Sequence, residues 1–176
     1  NNSRAMVEAM HWGASDKMCI TVPLFHCFGI TAGVIACITG GMDMCLIPYF
    51  RTAHVWDAIE KYECTILNGV PSMFLALIRK PQYAQRKAPK LKSGIIAGSP
   101  CTPEDFLEIC RRFPHMHLQP SYGQTETSPC IAIADWDDPN EVKAVSAGHV
   151  IGHVETRIMD LDSGALVADG QDGEIQ

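Results

Sequence analysis

Short, nearly continuous apolar runs alternate along this chain with stretches whose apolar residues recur at helical spacing. That alternation narrows the fold, because strands apolar on both faces and separated by helices belong in a mainly parallel, doubly wound α/β sheet. Residues 18–22 read as the first strand and 28–38 as an apolar helix that ends at Gly40 and Gly41. Residues 42–47 read as a second strand, stopped by Pro48. Thr52 is the expected cap of a helix whose Val55, Ala58, Ile59 and Tyr62 fall on one face. A third strand is expected at 65–67, a helix from Pro71 through Ile78, a polar basic connector over 79–92 and a fourth strand at 93–97. The sharpest helix start is TPED at 102–105. Thr102 can cap, Pro103 suits the first turn, and Glu104 and Asp105 face the positive end of the helix dipole. Phe106, Ile109, Cys110 and Phe113 give that helix its apolar stripe, and a fifth strand follows at 116–119.

Beyond Tyr122 the pattern changes. Short strands are expected at 130–134, 149–151 and 155–160, with turns at Gly164, Gly170 and Gly173 and no helix between. The expected organisation is therefore an α/β unit over 1–128 and the start of a smaller β-rich unit over 129–176.

Composition excludes several classes. Lys and Arg number 14 against 20 Asp and Glu, a net charge of −6, which argues against nucleic acid as a partner. No apolar run reaches the roughly 18 residues that would span a bilayer. The N-terminus lacks the charged-then-apolar order of a signal peptide, so a cytoplasmic location is expected. Eight cysteines are spread with no C-x-x-C pair, mostly within apolar runs, and read as reduced core thiols. The histidine pairs 115/117 and 149/153 have no nearby third ligand, which argues against zinc.

Candidate chemistry sits where strands end, the place where open α/β sheets bind ligands. SYGQTETSP at 121–129 combines an aromatic ring, a glycine, a hydroxyl and a carboxylate. A ring can stack on a base, a hydroxyl can donate to phosphate, and a carboxylate suits Mg²⁺ bound mainly through substrate phosphates. AGSPC at 97–101 is a small-residue loop that lets backbone approach a flat ligand. PLFHCFG at 23–29 places His26 among Phe25 and Phe28, as a pocket with one polar group or as a satisfied core histidine. The chain has no G-x-x-x-x-G-K-[ST], G-x-G-x-x-G or G-x-S-x-G motif.

Taken in order, PLFHCFG at 23–29, GVPSMF at 69–74, GIIAGSP at 94–100, YGQTE at 122–126 and GQDGEI at 170–175 resemble the adenylate-forming acyl-CoA synthetases. The wording of AGSPC and GQTETSP is most similar to the medium-chain fatty-acyl-CoA ligases. The resemblance implies a two-step reaction. A carboxylic acid, expected to be a fatty acid, reacts with Mg·ATP to give acyl-AMP, and coenzyme A then displaces AMP. It implies that Tyr122 stacks on adenine, with Gly98, Ser99 and Pro100 near the other face of the base. Thr125 is implied to contact phosphate and Glu126 to hold Mg²⁺, both as catalytic residues. His26, Phe25 and Gly123 are implied to lie near the acyl pocket. The family's Lys-bearing phosphate loop is expected upstream of Asn1. Its ribose-binding Asp, hinge and C-terminal catalytic Lys are expected beyond Gln176. The chain is thus expected to be a central piece without synthetase activity of its own. Apolar surface covered elsewhere in such an enzyme would leave it open to homodimerisation. Aryl-CoA ligases, peptide-synthetase adenylation domains and a non-catalytic relative of the same fold remain alternatives.

Overall fold

The computed structural model describes all residues, 1–176. Seven strands form one mixed sheet in the order β2-β1-β3-β4-β5-β6-β7. They are β1 (Lys17–Ile20), β2 (Asp43–Leu46), β3 (Ile66–Leu67), β4 (Ser93–Ile96), β5 (His117–Gly123), β6 (Cys130–Ile133) and β7 (His149–Val150). The first five run parallel, β6 pairs antiparallel to β5, and β7 pairs antiparallel to β6. A separate two-stranded sheet pairs β8 (Ile158–Met159) with β9 (Glu174–Ile175). The main sheet therefore runs through residue 128/129, and only the β8–β9 pair stands apart from it.

Alternation of side chains along each strand feeds two cores. On one face, Met18, Ile20, Ile66 and Ile95 pack with Ala5 and Met6 of α1 (Asn2–Ala9), Phe28 of α2 (Cys27–Gly29) and Cys37 of α3 (Ala36–Gly40). On the other, Cys19, Leu67, Ile96 and Leu118 pack with Trp56 of α4 (Thr52–Tyr62), Phe74 of α5 (Pro71–Ile78) and Ile109 of α6 (Pro103–Arg112). Helices on both faces make the sheet doubly wound.

Several elements depart from the sequence pattern for local reasons. Helix α1 was not expected from its polar start; its Ser3 hydroxyl donates to the Thr31 carbonyl at 3.0 Å, which anchors it. Between α2 and α3 the helix widens into a π-helical segment, Ile30–Ile35. Thr52 does not cap α4: Arg51 holds that position, while the buried Thr52 hydroxyl donates to the Tyr83 hydroxyl at 3.2 Å. The connector over 79–92 is tied down rather than free, with Tyr83 and Leu91 in the core and Arg86 paired to Asp57 at 2.8 Å. A short helix, α7 (Asn140–Lys143), interrupts the region expected to hold strands alone. Strand β2 lies at the sheet edge, so Met44 and Leu46 are exposed rather than buried.

Candidate active site

The strand β5 extends past Gln119 through Tyr122 to Gly123, so the expected polar loop begins as sheet. Register shifts at Tyr122 and Gly123, which makes a bulge against β6. Only glycine fits at 123, because a Cβ there would lie 1.7 Å from the Pro129 carbonyl oxygen. The chain then reverses through a 3₁₀ turn, Thr125–Thr127, closed by the Gln124 N–H donating to the Pro129 carbonyl at 2.9 Å. Ser128 takes a left-handed φ of 67° to complete the reversal. This turn holds the Thr125 and Glu126 side chains out from the sheet, both exposed.

Facing the turn, the loop after β1 delivers His26 in extended backbone at the start of α2. The Phe28 N–H donates to His26 Nδ1 at 3.1 Å, so a neutral ring carries its proton on Nε2. Gly29 allows α2 to begin this close to the loop, since a Cβ would lie 2.1 Å from the Pro23 carbonyl oxygen. The Cys27 thiol donates to Thr125 Oγ1 at 3.6 Å, which links the two segments. After β4, Gly98 adopts φ 86°, a conformation that favours glycine and lets the loop turn away from the sheet.

Buried Asn68, at the end of β3, joins these pieces. Its Oδ1 accepts from the Ile95 N–H at 2.9 Å, its Nδ2 donates to the Ala32 carbonyl at 3.1 Å, and its carbonyl accepts from the Thr21 hydroxyl at 3.2 Å. Sequence reading passed over it because nothing local marks an asparagine that bonds across three elements.

The result is a cavity of about 320 Å³ at the carboxyl ends of the strands. Buried Met6, Ala32, Ile95 and Cys130 form its apolar inner wall, and exposed Gln124, Thr125 and Glu126 form its mouth. His26, Phe28, Gly98 and Gly123 also line the cavity. Of the expected site residues the structure thus brings five together: His26, Gly98, Gly123, Thr125 and Glu126. Met6 and Cys130 were not singled out, since an inner wall shows in sequence only as core.

The other four lie elsewhere. Phe25 is 93% exposed and borders an apolar cavity of about 510 Å³ with Ile20, Leu46, Tyr49, Phe50 and Met73. Ser99 lines a third cavity of about 390 Å³, and Ser121 borders both it and the first. Buried Lys143 lines that third cavity and donates to the Trp136 carbonyl at 2.9 Å; burial pushes its amine below the usual lysine range. Tyr122 is 40% exposed, and neither it nor Pro100 walls any of these three cavities.

The donor set can be matched to a cation. No group of three or more His, Cys, Asp or Glu side chains converges on one point. Glu126 makes no ion pair or hydrogen bond through its carboxylate and stands beside the Thr125 hydroxyl. One free carboxylate at a cavity mouth fits Mg²⁺, which binds through one or two carboxylates plus substrate phosphates.

The family model for the AMP-binding enzyme matches residues 1–176. The chain belongs to the AMP-binding enzyme family. It is 35% identical over 175 residues to the putative acyl-CoA synthetase YngI of Bacillus subtilis (strain 168), covering 99% of this chain and 32% of that protein. It is 33% identical over 160 residues to the mitochondrial medium-chain acyl-CoA ligase ACSF2 of Homo sapiens, covering 90% of this chain and 26% of that protein. The chain thus spans about a third or less of the length of these relatives. Among solved structures, ATP-bound MatB from Rhodopseudomonas palustris superposes with a TM-score of 0.88 at 21% identity, covering 99% of this chain and 33% of that one. O-succinylbenzoate coenzyme A synthetase from Bacillus subtilis, in complex with ATP and magnesium ion, superposes at 0.84 with 25% identity, covering 99% and 35%. No helix of this family member is long and apolar enough to cross a membrane.

Proposed function

We propose that the whole protein activates a fatty acid as acyl-AMP and transfers the acyl group to coenzyme A, using ATP and Mg²⁺. The observation that carries this reading is one cavity with a polar mouth at Thr125 and Glu126 and an apolar inner wall of Met6, Ala32 and Ile95. An aliphatic acid has the same polarity, a carboxylate head and an apolar tail.

In this reading a carboxylate oxygen of the acid attacks the α-phosphorus of ATP, and pyrophosphate leaves. The coenzyme A thiol then attacks the acyl carbonyl, and AMP leaves. Negative charge builds on the α-phosphate, so the chain's work is positioning and electrostatic stabilisation. Glu126 holds Mg²⁺, which supplies charge neutralisation when bound. Thr125 donates its hydroxyl proton to a phosphate oxygen. Tyr122 offers its ring to adenine, with Gly98, Ser99 and Pro100 toward the opposite face. His26, its proton on Nε2, is a donor for the acid's carboxylate, and Gly123 keeps the approach clear. Phe25 borders the neighbouring apolar cavity, a second space where an alkyl chain would bury surface.

The full-length protein should form thioesters from fatty acids in preference to aromatic acids, measured by pyrophosphate release and thioester yield. Preference for an amino acid would overturn the assignment. Glu126→Ala should lower Mg-dependent adenylation by about 100-fold or more, as loss of one preorganised charge contact does elsewhere. Unchanged turnover would refute the role given to Glu126. Residues 1–176 by themselves should turn over no acid. A cytoplasmic location is part of the proposal, and fractionation against a mitochondrial marker tests it.

A further inference from the structure

Three cysteines far apart in sequence meet on the face of the sheet opposite the candidate active site. Cys19 on β1 and Cys45 on β2 are direct partners in the parallel register. Neighbouring strands lie about 4.8 Å apart, within the Cα separation of about 4.4–6.8 Å that a disulfide needs. Residues paired in register point to the same face, so both thiols project the same way. Cys64, just before β3, belongs to the same buried cluster as Cys19, and Cys45 packs against that cluster. Cys19 and Cys64 are fully buried. Cys45 is half-buried and borders an open surface groove beside Lys17 and Asp43. None of the three takes part in the proposed ligase chemistry.

We propose that Cys19, Cys45 and Cys64 form an oxidant-accepting thiol site, in which a peroxide reaching Cys45 from the groove is reduced as a Cys19–Cys45 disulfide forms. The Cys45 thiolate attacks one peroxide oxygen; the O–O bond breaks, giving a sulfenic acid and hydroxide. The Cys19 sulfur then attacks the Cys45 sulfur and the S–O bond breaks, releasing the second oxygen as water. Two thiols lose two electrons in all, hydrogen peroxide gains them, and the products are one disulfide and two waters.

Cys64 has a distinct part in this. Its thiol is held below the usual cysteine range, chiefly by the hydrogen bond from Cys19 and against the effect of burial, while the same bond pushes Cys19 up. The Cys64 thiol carries its own proton, which it donates to the Ala58 carbonyl at 3.6 Å, and it shares a buried cluster with Cys19. When Cys19 attacks Cys45, Cys64 accepts the Cys19 proton as its own proton passes to the leaving hydroxide. Burial pushes the Cys45 thiol above the usual cysteine range, and the Lys17 ammonium beside the groove offsets part of that effect.

The test is peptide mapping of the full-length protein after hydrogen peroxide treatment, alkylation of free thiols and digestion without reductant. A crosslinked peptide joining Cys19 to Cys45, 2 Da lighter than the two thiols and cleaved by dithiothreitol, is expected. Cys45→Ser should abolish the crosslink and leave Cys19 alkylatable after unfolding. Cys64→Ser should slow its formation about tenfold while the same product accumulates. Peroxide-dependent crosslinks at Cys27 or Cys101, with Cys19 and Cys45 both still alkylatable, would overturn the proposal. So would sulfinic acid at Cys45 with Cys19 left as a thiol. An unchanged rate in Cys64→Ser would remove the role of Cys64.

Discussion

Asn68 shows how one amide holds the site's framework. Its Oδ1 is the partner of the buried Ile95 N–H, and its Nδ2 reaches the Ala32 carbonyl in the π-helical segment. Both Ile95 and Ala32 wall the 320 Å³ cavity. Asn68→Leu keeps similar bulk but removes the side-chain acceptor of the Ile95 N–H and the side-chain donor to the Ala32 carbonyl in a buried interior. An unsatisfied buried group costs about 1–3 kcal/mol, so the variant should unfold at lower denaturant with an unchanged m-value. It should also raise KM for the acid more than it lowers kcat, because the wall loosens while Thr125 and Glu126 stay in place. Equal stability of variant and parent would sink this account. The glycines at 29 and 123 act at the same scale in the opposite sense: they matter for the side chain they lack, since backbone oxygens occupy its place.

At the scale of elements, local chemistry and tertiary context divide the control. Helix α6 starts where its own sequence says it should: the Asp105 N–H donates to Thr102 Oγ1 at 3.2 Å, with Glu104 and Asp105 in the first turn and Arg111 and Arg112 in the last. Thr102→Ala should cost about 1 kcal/mol, read as a shift in denaturation midpoint, and Thr102→Ser should restore most of it. Thr52 carries the same residue type before the same kind of apolar stripe, yet tertiary packing against Tyr83 draws its hydroxyl inward. A cap is legible in sequence only when nothing distant competes for the hydroxyl. The alternation of strand and helix was legible for the same reason, since each apolar run is a local pattern. Strand β5 runs four residues past the expected end, because Pro120, Ser121 and Gly123 look like turn residues until Pro120 pairs with Ile96 of β4 and Ser121 and Gly123 pair with β6. The order of the motifs along the chain was enough to place His26, Gly98, Gly123, Thr125 and Glu126 at one end of the sheet. The outward facing of Phe25 and Tyr122 was not legible, because it depends on loop conformation and strand phase rather than on residue type.

Across the whole molecule, the sheet separates two kinds of core. The face packed by α1, α2 and α3 supplies Met6, Phe28, Ala32 and Ile95 to the wall of the candidate site, whereas the Ile109 side chain in the other core borders none of the cavities described. Met6 and Ile109 are both almost completely buried, so truncation of either to alanine should cost about 2–5 kcal/mol, depending on how far the surroundings relax. Their effects on function should differ in kind. Met6→Ala enlarges the inner wall of the cavity and should move the preferred acid toward longer or branched chains. Each added methylene can be worth up to about 1–3 kcal/mol of discrimination in an apolar pocket. Ile109→Ala lies behind the sheet and should leave the acid profile of the surviving folded enzyme as it was. The two variants also fall in separate clusters on opposite faces, so their stability costs should add within about 0.5 kcal/mol in the double variant. Relative kcat/KM over a series of fatty acids, taken with denaturation midpoints, separates the two effects. An acid profile shifted equally by both variants would mean that the faces are coupled through the sheet, and the division between a site-building core and a supporting core would fail.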